Sequence, residues 1–211
     1  ETEAYLLRKH CKWDRYQILQ CYMVFGGIPF YLSLINAKES LVQNVDRLFF
    51  AQGGIMRSEF DELYNALFSN ADLYISVVKG LAAHHDGMSR EEISKATGIT
   101  GGTLTRVLTN LERCDFVSRN QNFAHKVKDT IYRLVDFYTL FYYKFILPDV
   151  SGDEQWWSHH FESRQVSTWQ GLTFEIVCLM HTDSIKRALG ISGMATEVSS
   201  WRKAATDGQN G

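Results

Sequence analysis

The sequence predicts a mainly α fold with a small β-hairpin. Three observations predict it: proline occurs only 2 times in 211 residues, apolar residues recur at helical spacing over long stretches, and two short strings typical of strands stand on either side of a polar segment near residue 125. The composition, 45% hydrophobic and 22% charged, is that of an ordinary globular protein. The chain is long enough for one large domain or two small ones.

Four helices are predicted before residue 70. The first follows Asp14, a residue that can cap a helix, and runs to Phe25. A Gly-Gly-Ile-Pro break then starts a second helix, with Pro29 in its first turn. The third and fourth are predicted over 40–50 and 58–68. The polar start of the chain lacks an initiator methionine, as we expect of a piece of a longer protein.

Three helices are predicted next, the first of them over 71–84. Ser89 and Glu92 have the spacing of a capping box, which predicts a short second helix. Gly98 suits the left-handed position at the end of that helix. A tight turn then leads to a long helix over 102–115.

A hairpin is predicted after the long helix. The strands are expected over 116–119 and 130–133, on either side of a polar tip that contains Lys126 and Lys128. Helix, short helix, turn, long helix and hairpin is the order of a winged helix-turn-helix.

The long helix has two different faces. One is an apolar stripe that ends in Cys114, which we therefore expect to be a buried free thiol. The opposite face carries cationic and small hydrogen-bonding side chains without a carboxylate, as in a recognition helix. The stripe holds Leu104, Val107, Leu108, Leu111 and Cys114, and the predicted DNA-binding residues are Thr103, Arg106, Thr109, Asn110, Arg113, Lys126 and Lys128.

The net charge does not decide whether this face contacts DNA or protein. The chain has a net charge of -2, and the segment 70–135 has nine Lys and Arg against seven Asp and Glu, a net of +2. Phosphate neutralisation usually supplies much of the affinity for DNA, and this excess is slight. The face is therefore predicted either to contact DNA or to pack on another domain or a partner protein.

Cysteine spacing and the length of apolar runs indicate whether the chain binds a metal, which compartment it occupies and whether it spans a membrane. The four cysteines form no CxxC pair, and the two His-His pairs point their side chains apart on a helix, so we expect no metal site. Reduced thiols and the absence of a signal peptide favour the cytoplasm. The apolar run 132–147 is interrupted by charges and is too short for a membrane span, which predicts a buried aromatic helix.

Sequence motifs of catalysis are absent. The chain has no GxxxxGK[ST] phosphate loop, no GxSxG elbow and no HExxH pair. One carboxylate, Glu175, lies in an apolar helical stretch, where it needs a partner or a function unless it faces solvent.

Three local strings carry a resemblance to a known family: YMVFGGIPFYL at 22–32, GGTLT at 101–105, and WQGLTFE at 169–175 together with IKRALGI at 185–191. Together they resemble the C-terminal half of the archaeal-type AAA+/STAND ATPases of bacteria and archaea. In that family a P-loop domain binds ATP and is followed by a helical lid, a winged helix and a restriction-endonuclease-like domain.

The resemblance implies three segments. Residues 1–52 would be the helical ATPase lid, 53–147 the winged helix-turn-helix with the aromatic helix after it, and 148–211 the start of a truncated α/β nuclease-like domain. Gly27 and Pro29 would belong to the lid element near the adenine.

The resemblance also bears on catalysis. Glu175 would be the helix-borne acid of a nuclease site whose other residues are expected beyond residue 211. A nuclease needs at least two carboxylates to hold its ion, so this piece is expected to be non-catalytic and to carry no cofactor, while ATP and Mg²⁺ belong to the parent ATPase.

Two functions fit these features best, and a third alternative is a catalytically competent nuclease domain. The first is coupling, in which nucleotide state in an ATPase domain repositions a winged helix that binds DNA or protein. The alternative is a stand-alone winged-helix transcription regulator. The expected partners are the ATPase domain and, in addition, either duplex DNA or a partner protein. No association with a membrane is expected.

Overall fold

The chain is mainly helical with one small antiparallel sheet, as predicted. The computed structural model describes residues 1–121 and 130–194, apart from the side chains of Asn120 and Gln121. The helices are α1 (Thr2–Arg8), α2 (Arg15–Phe25), α3 (Pro29–Ser33), α4 (Leu41–Val45), α5 (Ile55–Leu67), α6 (Ala71–Ala82), α7 (Arg90–Thr97), α8 (Gly101–Arg113), α9 (Phe137–Phe141), α10 (Trp156–His160), α11 (Arg164–Met180) and α12 (Thr182–Ala188). The strands are β1 (Met88–Ser89), β2 (Val117–Gln121) and β3 (Thr130–Leu134).

Local capping explains two predicted helix starts that are confirmed, those of α2 and α3. Helix α1 was not predicted, and α5 begins at Ile55 and not at residue 58 as predicted. Asp14 accepts a hydrogen bond from the backbone N–H of Gln17 at 2.8 Å, and the Gln17 side chain accepts from the Asp14 backbone at 3.0 Å. These reciprocal bonds satisfy two donors that a helix start leaves unpaired. Pro29 is the first residue of α3, where its missing N–H costs nothing.

The aromatic segment begins its helix later than predicted. The predicted strand over 130–133 is confirmed, because Thr130–Leu134 pairs with β2, so residues 132–134 are part of a strand and not of the helix. The alternating burial of 130–133 suits a sheet with one covered face. The helix α9 starts after Asp136, which accepts from the Thr139 backbone N–H at 2.8 Å, and continues as a π-helical turn over Tyr142–Ile146. Burial raises the pKa of the Asp136 carboxyl.

The described chain divides into two compact units. The first contains Glu1–Ile75 and Val135–Ser192, and the second centres on Ser76–Leu134. The predicted segment 53–147 is therefore not one spatial unit, because its two ends belong to the first unit. The assignment of segments to a lid and a nuclease-like domain stays a prediction.

Aromatic side chains form the core of the first unit. The ring of Trp157 is fully buried, with its centroid 5.1 Å from that of Phe141, 5.2 Å from Phe145 and 6.0 Å from Trp169. Phe49, from the first part of the chain, lies 4.7 Å from Phe141. Edge-to-face contacts at such distances add to the free energy of burial. Residues far apart in sequence thus share one core.

A buried carboxylate fixes helix α10 to the first part of the chain. Asp46 accepts hydrogen bonds from the backbone N–H of Trp157 at 2.8 Å and from the backbone and hydroxyl of Ser158. Burial raises the pKa of Asp46, although these bonds to the ionised form oppose the shift. The carboxylate caps a helix from 111 residues away in sequence.

The second unit contains the sheet, with strand order β1-β3-β2. The short strand β1 was not predicted, because two residues carry too little alternation to be recognised. Gly87 precedes it with φ +79°, and a Cβ atom there would lie 2.6 Å from both Ile131 Cγ2 and the Tyr132 carbonyl oxygen. Only glycine allows this close approach of β1 to β3.

Candidate nucleic-acid interface

The turn between α7 and α8 is set by local hydrogen bonds. Ser89 accepts from the backbone N–H of Glu92 at 3.2 Å, and Glu92 accepts from the Ser89 backbone at 2.7 Å, so the predicted capping box is confirmed. Gly98 ends α7 in the left-handed conformation, with φ 72°. Arg90 then donates to the Gly101 carbonyl at 2.8 Å and to the Thr105 hydroxyl at 2.9 Å. These bonds fix how α8 leaves the turn.

Helix α8 has the two faces that its sequence predicts. Its apolar stripe is buried, with Leu104, Val107, Leu108 and Leu111 each no more than 2% exposed. Thr103, Arg106 and Arg113 are exposed on the other side, while Thr109 and Asn110 are half-buried. The five predicted contact residues on the helix therefore lie together on its outward side. Lys126 and Lys128 lie outside the described residues.

Cys114 is exposed, and its prediction as a buried thiol is wrong. The helix ends at Arg113, so the 100° rotation per residue no longer applies at the next position. Asp115 has φ 58°, and the backbone N–H of Phe116 returns to the Leu111 carbonyl at 2.9 Å. This turn brings Phe116 into the core in place of Cys114.

Basic residues of the sheet have different roles. Arg133 is only 8% exposed and lies 2.9 Å from Nε2 of His85, so it belongs to the interior of the unit. Arg119 is exposed and lies 3.6 Å from the Glu112 carboxylate on α8. The ion pair connects the sheet to the flank of α8, while Arg106 and Arg113 point outward.

A groove lies beside α8, between α7 and the neighbouring strands β2 and β3. Its volume is about 810 Å³, and it is lined by Arg90, Lys95, Arg119, Tyr132 and Leu104 among others. In the sequence, these cations contribute to the net charge of the segment, but nothing shows that they line one groove. Their convergence depends on strand register and on the turn after α7, neither of which is visible in helical periodicity.

Gly27 and Pro29, which the resemblance places near an adenine, are both exposed. Gly27 follows α2, and a Cβ atom there would lie 3.4 Å from the Tyr22 ring. A second groove of about 950 Å³ includes Gly27, Tyr22 and His181, whose Nε2 lies 3.3 Å from the Tyr22 hydroxyl. Pro29 begins α3. Nucleotide contact by Gly27 and Pro29 stays a prediction.

Glu175 lies on an exposed side of α11, between the buried positions Thr173 and Ile176. Solvent exposure explains how an apolar helix accommodates this carboxylate. Among residues 1–121 and 130–194, no group of three His, Cys, Asp or Glu side chains is placed to hold a metal ion. A role for Glu175 in a nuclease site stays a prediction.

No helix within the described ranges is long and apolar enough to cross a bilayer. The four cysteines are free thiols, with Cys11 and Cys21 buried and Cys178 half-buried. Burial raises the pKa of the Cys21 thiol, which makes it unreactive.

The chain is distantly similar to an archaeal protein. An uncharacterized protein of Methanocaldococcus jannaschii is 25% identical over 147 residues. The match covers 68% of this chain and 32% of that relative, so the chain spans about a third of its length. No protein-family model and no solved structure matches the chain. The resemblance to AAA+/STAND ATPases therefore remains an expectation from sequence.

Proposed function

We propose that the second unit is a winged helix-turn-helix that binds duplex DNA through the outward face of α8. The observation that carries the proposal is the pairing of a buried apolar stripe with an exposed face that holds Arg106, Arg113 and Thr103. Side chains of these types donate to phosphates and read base edges in a major groove. The three-stranded sheet with order β1-β3-β2 supports the winged form of this fold.

Charge is distributed in favour of the second unit. Residues 76–134 contain nine Lys and Arg and six Asp and Glu, a net of +3 in a chain whose net charge is -2. The remainder of the chain is therefore acidic, and the field that attracts phosphate is concentrated in the second unit. An excess of +3 supports modest, salt-sensitive affinity.

The proposal extends to coupling with a P-loop ATPase domain in the cytosol. The strings at 22–32 and 169–175, which resemble lid and nuclease-like elements, support it. In this proposal ATP and Mg²⁺ are bound by that domain, and its nucleotide state changes the access of α8 to DNA. This chain contributes the DNA-binding surface and no catalytic group.

Equilibrium binding tests the proposal. Fluorescence anisotropy with a labelled duplex of about 20 base pairs should show binding at about 50 mM salt. The affinity should fall at least tenfold at about 200 mM salt, because released counterions make phosphate binding salt-dependent. An absence of binding at low salt would contradict the proposal and favour a protein partner for the same face.

A stand-alone transcription regulator remains the second candidate, since it would use the same face of α8. The two candidates differ in their dependence on nucleotide. Coupling predicts that duplex affinity of the chain joined to its ATPase domain changes between ATP and ADP, while a stand-alone regulator gives one affinity in both.

A further inference from the structure

The groove beside α8 combines cations with an aromatic ring. Arg119 on β2 and Tyr132 on β3 are directly opposite each other in the strand register, so their side chains leave the same face of the sheet as neighbours. Lys95 on α7 lines the same groove, and buried Leu104 forms part of its floor. Tyr132 is half-buried, which leaves part of its ring accessible.

Arg90 is held in place at the end of the groove nearest α8. Its Nη2 atom donates to the Gly101 carbonyl and the Thr105 hydroxyl, at 2.8 and 2.9 Å. These bonds leave other N–H groups of the guanidinium for a ligand, since arginine has five. A side chain already fixed in position loses less entropy when it binds an anion.

We propose that this groove binds one strand of single-stranded nucleic acid, with a base stacked on Tyr132 and the backbone phosphates beside Arg90, Lys95 and Arg119. The inference deepens the proposed function and rests on it, because it assigns a second nucleic-acid surface to the same unit. Together the two surfaces suit a junction between duplex and single strand, with the duplex on α8 and the unpaired strand in the groove.

The chemistry of the groove favours a nucleotide strand over an acidic peptide. A peptide carboxylate uses the cations but has no planar ring for Tyr132. A base provides that ring, and stacking on aromatic side chains beside a cationic path is how proteins bind single strands without sequence preference. Glu91 also lines the groove and Glu112 forms an ion pair with Arg119, so the three cations exceed the two carboxylates by one.

Anisotropy with a labelled oligothymidylate of about 12 nucleotides tests the assignment. Tyr132→Ala should weaken binding about five- to hundredfold, which is the range for losing one stacked base, while Tyr132→Phe should bind as the wild type does. Arg119→Glu should weaken it at least about tenfold. Lys79→Glu, an equal charge change at an exposed position on α6, is the matched control and should have little effect.

Photocrosslinking tests the assignment with the wild-type chain, so the result does not depend on whether a variant folds. An oligonucleotide with 5-iodouracil should crosslink to the wild-type chain at Tyr132, as located by mass spectrometry of the digested complex. Crosslinks confined to the face of α8 would overturn the assignment. Displacement of the oligonucleotide by an oligoglutamate of similar length at equal concentration would also overturn it, in favour of a protein partner.

The two proposals fail in different ways. Binding of the duplex without the oligothymidylate removes the groove assignment and leaves the proposed function intact. Binding of the oligothymidylate without the duplex supports the groove and contradicts duplex recognition by α8. Loss of duplex binding in Tyr132→Ala, in a protein with wild-type circular dichroism, would mean that the groove is part of the duplex surface and is not a separate site.

Discussion

Charge reversal of both Arg106 and Arg113 is expected to weaken duplex binding strongly. Both side chains are exposed on the outward face of α8, so their replacement by glutamate leaves the buried stripe untouched. Loss of one arginine contact to DNA costs about 1–3 kcal/mol, so the pair should lower the affinity by roughly thirtyfold or more, before added repulsion. Anisotropy at low salt measures the change.

A matched double reversal separates the face from the overall charge. Arg8→Glu/Lys12→Glu changes the net charge by the same amount at two exposed positions of the first unit. It should retain most of the duplex affinity. Equal losses in the two double variants would show that the whole chain, and not the face of α8, attracts the DNA.

Truncation of Trp157 to alanine should destabilise the first unit more than any other single change that we predict. The ring is fully buried and packs against Phe141, Phe145 and Trp169. Removing a large buried aromatic side chain leaves a cavity and costs about 3–5 kcal/mol. That loss is a large share of the roughly 5–15 kcal/mol by which typical domains are stable. Urea unfolding followed by circular dichroism measures it.

The neighbouring tryptophan provides the control. Trp156 is half-buried and stacks on Phe50 at 5.3 Å, so its truncation removes fewer contacts and leaves a site open to water. Trp156→Ala should cost no more than about half as much, because less apolar area is lost. Equal costs at the two positions would contradict the placement of Trp157 in the centre of the aromatic core.

Elements fixed by neighbouring residues were predictable from sequence. Ser89 and Glu92 cap α7 through bonds that span three residues, and Gly98 ends it through its own backbone freedom. The faces of α8 follow from helical geometry alone. Prediction failed at Cys114, where the helix had already ended and a left-handed Asp115 redirected the chain.

Features that depend on distant residues were not predictable. Asp46 caps α10 from across the fold, and no local pattern shows that it does so. The groove between α7 and the sheet depends on the register that places Arg119 opposite Tyr132. In the candidate site, therefore, the outward face of α8 could be predicted from helical periodicity. The groove next to it could be recognised only from the tertiary structure.

Hydrogen–deuterium exchange of the wild-type chain with and without duplex DNA tests the central claim most directly. If the outward face of α8 binds the duplex, then amides near Thr103, Arg106 and Asn110 should exchange more slowly in the complex, and those of α5 should be unchanged. Protection of α5 or α11 with no change in α8 would contradict recognition of DNA by this helix.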